Sequence, residues 1–288
     1  MFVLAGYFVV IGCVLGGYAL AGGNFAVILH AAPHELFVIT GAALGAFLVG
    51  NSGKTIKATF RYVPMLLKGS KYTKARYMAL LALLYDVLVK ARKDGLMAIE
   101  ADIEKPAGSA LFKKYPLILA DHHLMEFVTD YLRMMVSGNL NAHELEALMD
   151  NEIDAHHHEA SVPAGAIQSV GDGLPAFGIV AAVLGVVKTM ASVGASPAVL
   201  GQMIAGALVG TFLGILLAYG FVSPLAQLAH QKVDEETKEL QCVKATLLAS
   251  VQGYAPAVAL EFGRKVLYST ERPGFLELTG HVKGRKPA

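Results

Sequence analysis

Charged residues occur in blocks along this chain, and the blocks mark out its elements. Residues 1–34 and 36–53 contain no Asp, Glu, Lys or Arg, and none occurs between Lys188 and Lys232. Most of the stretch from Lys54 to Asp172 is dense in charge. A bilayer core of about 30 Å is crossed by about 20 apolar helical residues. The pattern predicts membrane helices over 2–22 and 36–52, a polar block, and two further spans. The third span starts at Gly173 and reaches Ser192; the fourth covers 199–226. Within the polar block the apolar positions follow a helical period, with no convincing alternation. Met78, Leu81, Tyr85, Leu88 and Leu96 predict one long helix over 72–104, ended by Pro106-Ala107-Gly108-Ser109. Amphipathic helices are expected over 117–136 and 141–158, and a further helix through 227–252. Basic and aromatic residues mingle over 54–70, which suits a segment at anionic headgroups. The predicted fold is an all-α integral membrane protein, four transmembrane helices with a helical cytoplasmic domain. Its parts are 1–53, 54–171, 172–228 and 229–288.

Composition agrees with a mixed chain. A hydrophobic fraction of 55% is high for a soluble protein, and a charged fraction of 16% is high for one buried wholly in lipid. Of the 24 Lys and Arg residues, all but Lys188 lie in 54–133 or 232–286. Basic loops stay cytoplasmic, so the polar block, the tail and, with four spans, both termini are expected on the cytoplasmic side. The outer loops are then Asn24–Glu35 and Ser192–Pro197. No Lys or Arg precedes the first apolar run, which reads as a span and not as a signal peptide. Cys13 falls in a span and Cys242 in the tail, so no disulfide is expected.

Few residues offer chemistry. Asp172 is placed at the inner edge, Lys188 towards the outer end and Glu35 at the outer boundary, which leaves no carboxylate at mid-membrane depth. Intramembrane charges usually mark ion pathways. If this chain moves ions, the binding carboxylate is expected from another polypeptide. Pro175 and Pro224 sit at the cytoplasmic ends of opposed helices, where each removes a backbone donor; membrane-helix prolines are also common without such a role. Thr211 is near the middle of the fourth span with Ala182 facing it, although a lone Thr commonly bonds its own helix. Arg92 and Glu100, eight residues apart on one predicted helix, suit either a charged docking surface or a solvated face. His122-His123 and His156-His157-His158-Glu159 lack a spaced ligand set of the zinc type, so no metal site is expected. No phosphate loop or nucleophile elbow is present, so neither an enzyme nor a bound cofactor is expected, and nothing points to nucleic acid.

Longer motifs are more specific. They include Val170-Gly171-Asp172-Gly173-Leu174-Pro175-Ala176-Phe177-Gly178 and Val209-Gly210-Thr211-Phe212-Leu213-Gly214 through Tyr219-Gly220. Ser223-Pro224-Leu225, Tyr254-Ala255-Pro256, Glu261-Phe262-Gly263-Arg264-Lys265 and Glu146-Ala147-Leu148-Met149-Asp150 continue the series. Across nearly its whole length the chain resembles the MotA family of flagellar stator subunits. The resemblance implies a homo-pentamer around two helices of a MotB-like subunit, which supplies the ion-binding Asp and a peptidoglycan anchor. It implies ion passage coupled to torque on the rotor protein FliG. Arg92, Glu100 and Glu152 match the rotor-facing charges, with Asn151 where relatives often carry an acid. Pro175 and Pro224 match the coupling prolines. Ala182, Thr211 and Tyr219 match the ion route. Sodium-driven relatives such as PomA carry Thr at the Ala182 position; the missing hydroxyl here favours H+. An ExbB- or TolQ-type subunit, with three spans and an outside N-terminus, fits less well. A solute transporter would predict an internal repeat and midplane polar residues, and neither is visible.

Overall fold

The computed structural model describes residues 2–138 and 141–284, apart from the side chain of Lys283. Among these residues the secondary structure is helical, without strands. The chain divides into two compact units: residues up to Gly69 with Ala160–Gln231, and Ser70–Glu159 with the residues from Lys232 onward.

The first unit holds the apolar helices. They are α1 (Phe2–Leu20), α2 (Phe25–Gly50), α3 (Gly53–Leu66), the later part of α8 (Ala142–Met190), α9 (Pro197–Leu217) and the start of α10 (Ser223–Val251). Four helical stretches are long and apolar enough to cross a membrane: Phe2–Leu20, Phe25–Gly50, Ala142–Met190 and Pro197–Val251. A backbone in lipid must satisfy its own hydrogen bonds, so such segments stay helical. Asn24 caps α2, its side chain accepting from the Ala26 amide at 3.0 Å. Ser52 caps α3 in the same way, accepting from the Thr55 amide. Helix α2 therefore begins at Phe25, and the expected outer loop Asn24–Glu35 is mostly helix, Pro33 included. Ile39, Ala43, Leu174, Ala181 and Ala218 form an apolar core, against which Leu213 and Leu217 of α9 pack, joining α2, α8, α9 and the turn that follows α9.

The second unit is built on α4 (Lys74–Asp94), with α5 (Glu100–Glu104), α6 (Pro116–Leu119), α7 (His122–Ser137), the first part of α8, most of α10, α11 (Pro256–Val266) and α12 (Phe275–Lys283). Its core contains Leu80, Leu81, Leu84, Phe112, Phe127, Tyr131, Leu132, Met149, Val243, Leu247 and Leu260, all buried. The single helix expected over 72–104 is broken. Gly95 adopts φ +88°, a conformation that favours glycine, and a 3₁₀ turn at Leu96–Ile99 precedes α5. Arg92 and Glu100 are consequently on different elements. The reverse holds later in the chain, where the expected helix 141–158 and the third span are parts of one 49-residue helix.

A buried ion network ties this unit together. Arg76 donates from Nε to Glu239 Oε1 at 2.6 Å and from Nη2 to Glu239 Oε2 at 2.8 Å. Its Nη2 also reaches Asp121 Oδ2 at 2.7 Å, and its Nη1 the Leu117 carbonyl at 3.2 Å. Asp121 in turn caps α7 and pairs with Lys71 at 2.9 Å. One guanidinium thus holds α4, α6, the start of α7 and α10 in register.

Candidate functional site

In the first unit, α8 approaches α9 and the start of α10 so closely that its glycines meet backbone and small side chains. Gly171, Gly178 and Gly185 recur every seven residues, almost two helical turns, and so lie along one face of α8. A Cβ at Gly178 would lie 2.8 Å from the Gly210 carbonyl oxygen and 3.0 Å from Gly214 Cα. At Gly185 it would meet Ala207 Cβ at 2.7 Å, and at Gly171 it would meet Ser223 Oγ at 2.8 Å. Small residues let membrane helices gain dispersion contacts along their backbones, where burial from water offers no drive.

Glu35 is at the same seam. A Cβ on Gly210 would be 2.5 Å from Glu35 Oε2 and 3.1 Å from both Ala181 Cβ and Ala182 N. Glu35 Oε2 is buried and makes no hydrogen bond. Gly210 is about 20 Å along α9 from Pro197 at 1.5 Å per residue. The expectation of Glu35 at the end of an outer loop is therefore corrected: it lies inside α2 and its carboxylate packs against α9. The physical reason is the early start of α2 at its Asn24 cap. A cavity of 510 Å³ leads to this carboxylate, lined by His30, His34, Lys188, Gln202 and Gly206 among others.

The expected ion-route residues fall into two groups. Ala182 abuts Gly210, the neighbour of Thr211. Tyr219 and Pro224 instead line a separate 250 Å³ cavity with Phe2 and Tyr7 of α1. Residues Ala218–Val222 form a π-helical turn before Pro224. Ser223 N donates to the Ala218 carbonyl, a five-residue step that leaves space for the proline ring. The Tyr7 hydroxyl donates to the Phe221 carbonyl at 3.1 Å. Gly171 packs against Ser223, the residue before Pro224, and Leu174, the residue before Pro175, packs against Gly214.

In the second unit, Arg92 is exposed in the last turn of α4 and Glu100 is exposed at the start of α5. The turn between them is braced by Asp102. It accepts from Lys90 Nζ and Ser109 Oγ, each at 2.6 Å. Burial alone would raise the Asp102 carboxyl, but these two partners hold it below the usual carboxylate range. Arg92 also borders a 370 Å³ groove with Leu88, Met134, Met135, Tyr254 and Pro256. Glu152, exposed on α8, accepts from the Tyr131 hydroxyl at 2.6 Å.

Comparison with known proteins places this geometry in a lineage. Residues 4–95 match the family model of the motility protein A N-terminal region, and residues 120–242 match that of the MotA/TolQ/ExbB proton channel family. The chain is 56% identical to motility protein A of Salmonella typhimurium over 283 residues, covering 98% of this chain and 95% of that protein. Identity to the Escherichia coli motility protein A is 54% over 286 residues, covering 99% of this chain and 96% of that one. The chain belongs to the motility protein A family. Its fold is similar to that of C. jejuni MotAB, with a TM-score of 0.75 at 20% identity over 93% of this chain and 95% of that one. The flagellar MotAB stator complex from Bacillus subtilis matches with a TM-score of 0.72 at 25% identity over 90% and 92%.

For a motility protein A family member, two features of the site escape a residue-by-residue sequence reading. The heptad of Gly171, Gly178 and Gly185 was available as a spacing signal. The packing of Glu35 against α9 had only one local clue, the Asn24 cap ahead of an unbroken helical stretch.

Proposed function

We infer that this chain is the membrane subunit of a flagellar motor stator. With a MotB-like partner it couples proton flow across the membrane to torque on the rotor. The observation that carries this reading is the glycine-packed α8–α9 seam, with Ala182 and Thr211 along it and the two proline turns at its end. Two helices in backbone contact resist sliding and move as one body. The π turn and the prolines interrupt their hydrogen-bond ladders where the apolar stretches end, and such interruptions are where helices bend. A proton arriving at a partner carboxylate changes the local charge in a medium of low dielectric, where such a change carries a large energy. The seam then passes that change on as a bend.

The finer reading goes further. The protein is placed in the bacterial inner membrane with both termini in the cytoplasm, as five copies around two partner helices. Arg92, Glu100 and Glu152 face FliG. Exposed Val183 and Val187 on α8, with Ile204 and Leu208 on α9, supply apolar surface for neighbouring helices or lipid. Ala182 brings no hydroxyl to the route, so a dehydrated sodium ion would lack one oxygen of the shell it prefers; H+ needs only an acceptor. The test is swimming speed in a strain lacking its own stator subunits, with proton and sodium gradients varied separately. Speed should follow the proton gradient and survive removal of sodium. Speed that falls towards zero without sodium, at constant proton-motive force, refutes the ion assignment. Absence of motility with every partner subunit refutes the stator reading.

A further inference from the structure

Three residues far apart in sequence converge in the second unit, away from the ion route and from Arg92 and Glu100. His123 is the second residue of α7, His156 lies on α8 and Glu236 on α10. One ligand atom from each can be chosen so that all three lie within 4.8 Å of one another. The imidazole rings of His123 and His156 stack with centroids 4.0 Å apart and planes 24° apart, so the rings are adjacent but one must turn out of the stack before both in-plane lone pairs can meet at one ion. His156 Nε2 is buried and makes no hydrogen bond, with Glu236 Oε1 3.4 Å away. A buried ring nitrogen that makes no well-formed hydrogen bond is unusual, and here only the Glu236 carboxylate at 3.4 Å faces it.

We propose that His123, His156 and Glu236 form a binding site for a divalent transition-metal cation of the zinc type. Metal–ligand bonds of 2.0–2.2 Å place the ligands of a tetrahedral ion about 3.4 Å apart. The His156–Glu236 separation already has that length. The widest pair in the cluster has to close by at most about 1.4 Å to reach it, and this closure, with the turn of one imidazole out of the stack, lies within what side-chain torsions supply. Two imidazoles and a carboxylate are a donor set for zinc, cobalt(II) or nickel(II), not for the all-oxygen shells of magnesium or calcium. Three protein ligands leave a fourth position for water. Because the ligands come from α7, α8 and α10, the ion would clamp three helices of this unit. Sequence spacing sets a metal site aside here, because no two of the three residues fall at a ligand-like interval. The fold supplies the proximity that spacing lacks.

The experiment uses the full chain, untagged with histidine, purified with its partner subunit and stripped with chelator. Cobalt(II) should bind at one ion per chain with the intense visible bands of four-coordinate cobalt, and zinc should displace it. Zinc should also raise the melting temperature. His156→Ala and His123→Ala should each weaken binding at least tenfold and abolish the melting shift, while keeping the metal-free melting temperature of the parent. Glu236→Gln should weaken binding. His157→Ala should not, since the His157 Nδ1 atom faces Thr237 Oγ1 at 2.8 Å, outside the cluster. No saturable binding, binding that survives His123→Ala with His156→Ala, or equal loss in His157→Ala would overturn the proposal.

Discussion

Replacing Arg76 by Met should destabilise the second unit severely, and the size of the effect follows from what remains behind. The Arg76 and Glu239 side chains are only 8% and 3% exposed. Met fills similar volume but leaves the Glu239 carboxylate buried without its two charge-assisted bonds. Asp121 keeps its Lys71 partner, so Glu239 carries most of the loss. Removing one partner of a buried pair typically costs about 3–5 kcal/mol, or roughly a hundredfold to a few thousandfold in the folded-to-unfolded ratio. For a unit of roughly 150 residues, each kcal/mol lowers the midpoint by about 2–4 °C, so a drop of roughly 6–20 °C is expected. Burial already raises the Glu239 carboxyl, against the pull of Arg76; without Arg76 it rises further. A group with a raised folded pKa stabilises the fold below its unfolded value and loses that contribution as pH rises through the folded one. The Arg76→Met defect should therefore be largest at neutral and high pH and shrink on acidification. The assay is thermal melting of the purified complex by helical circular dichroism. A second variant separates charge from packing: Arg76→Met with Glu239→Leu replaces the pair by apolar groups and should recover most of the loss, because such swaps are often neutral or stabilising. A single-variant shift under about 2 °C, or a double variant no better than the single, would refute the reasoning.

Four other outcomes are expected. Gly178→Ala places a methyl against the α9 backbone at 2.8–3.0 Å, which should cost about 1–3 kcal/mol and abolish motility. Gly201→Ala, with nothing within 4 Å, should be tolerated, and equal effects of the two in swim plates would contradict the seam. Glu35→Gln keeps the shape of the one carboxylate that, among the described residues, lines the 510 Å³ cavity but removes its ability to take up a proton; if protons pass through this cavity, complexes should assemble while flux falls several-fold, and unchanged flux would place the route elsewhere. Arg92→Glu combined with Glu100→Lys should stop rotation without affecting membrane insertion, although single neutral changes should be mild because exposed pairs are worth only about 0–1 kcal/mol; normal swimming in the double reversal would remove both from the rotor face. Asp102 has a depressed pKa through Lys90 and Ser109, so its contribution is complete above the ordinary carboxylate value near 4 and disappears as pH falls through the depressed one. The stability gap between wild type and Asp102→Asn should accordingly be constant near neutrality and close in acid; a gap that does not vary with pH would show that the pairing is not its source.

What the sequence determined by itself is what depends on local composition. Hydropathy averaged over about 20 residues is a physical sum, the cost of taking each side chain into lipid. For this reason the four apolar stretches and the helical character of the polar block were legible without tertiary information. Boundaries were less legible, because periodicity alone cannot see a backbone conformation. The stripe through Leu88 and Leu96 ran straight across Gly95, whose φ of +88° ends α4. Charge-free segments gave no reason to start α2 before the first acid, yet the Asn24 cap does so and takes Glu35 into the seam. Only the tertiary structure decided the contacts across long sequence distances. Arg76 meets Glu239 across 163 residues. His123, His156 and Glu236 converge from three helices. Gly210 is where α9 admits Glu35 beside Ala182. Coulomb forces and coordination bonds act through space and fall off with distance, so they are fixed by which helix faces meet, and no local window of sequence contains that information.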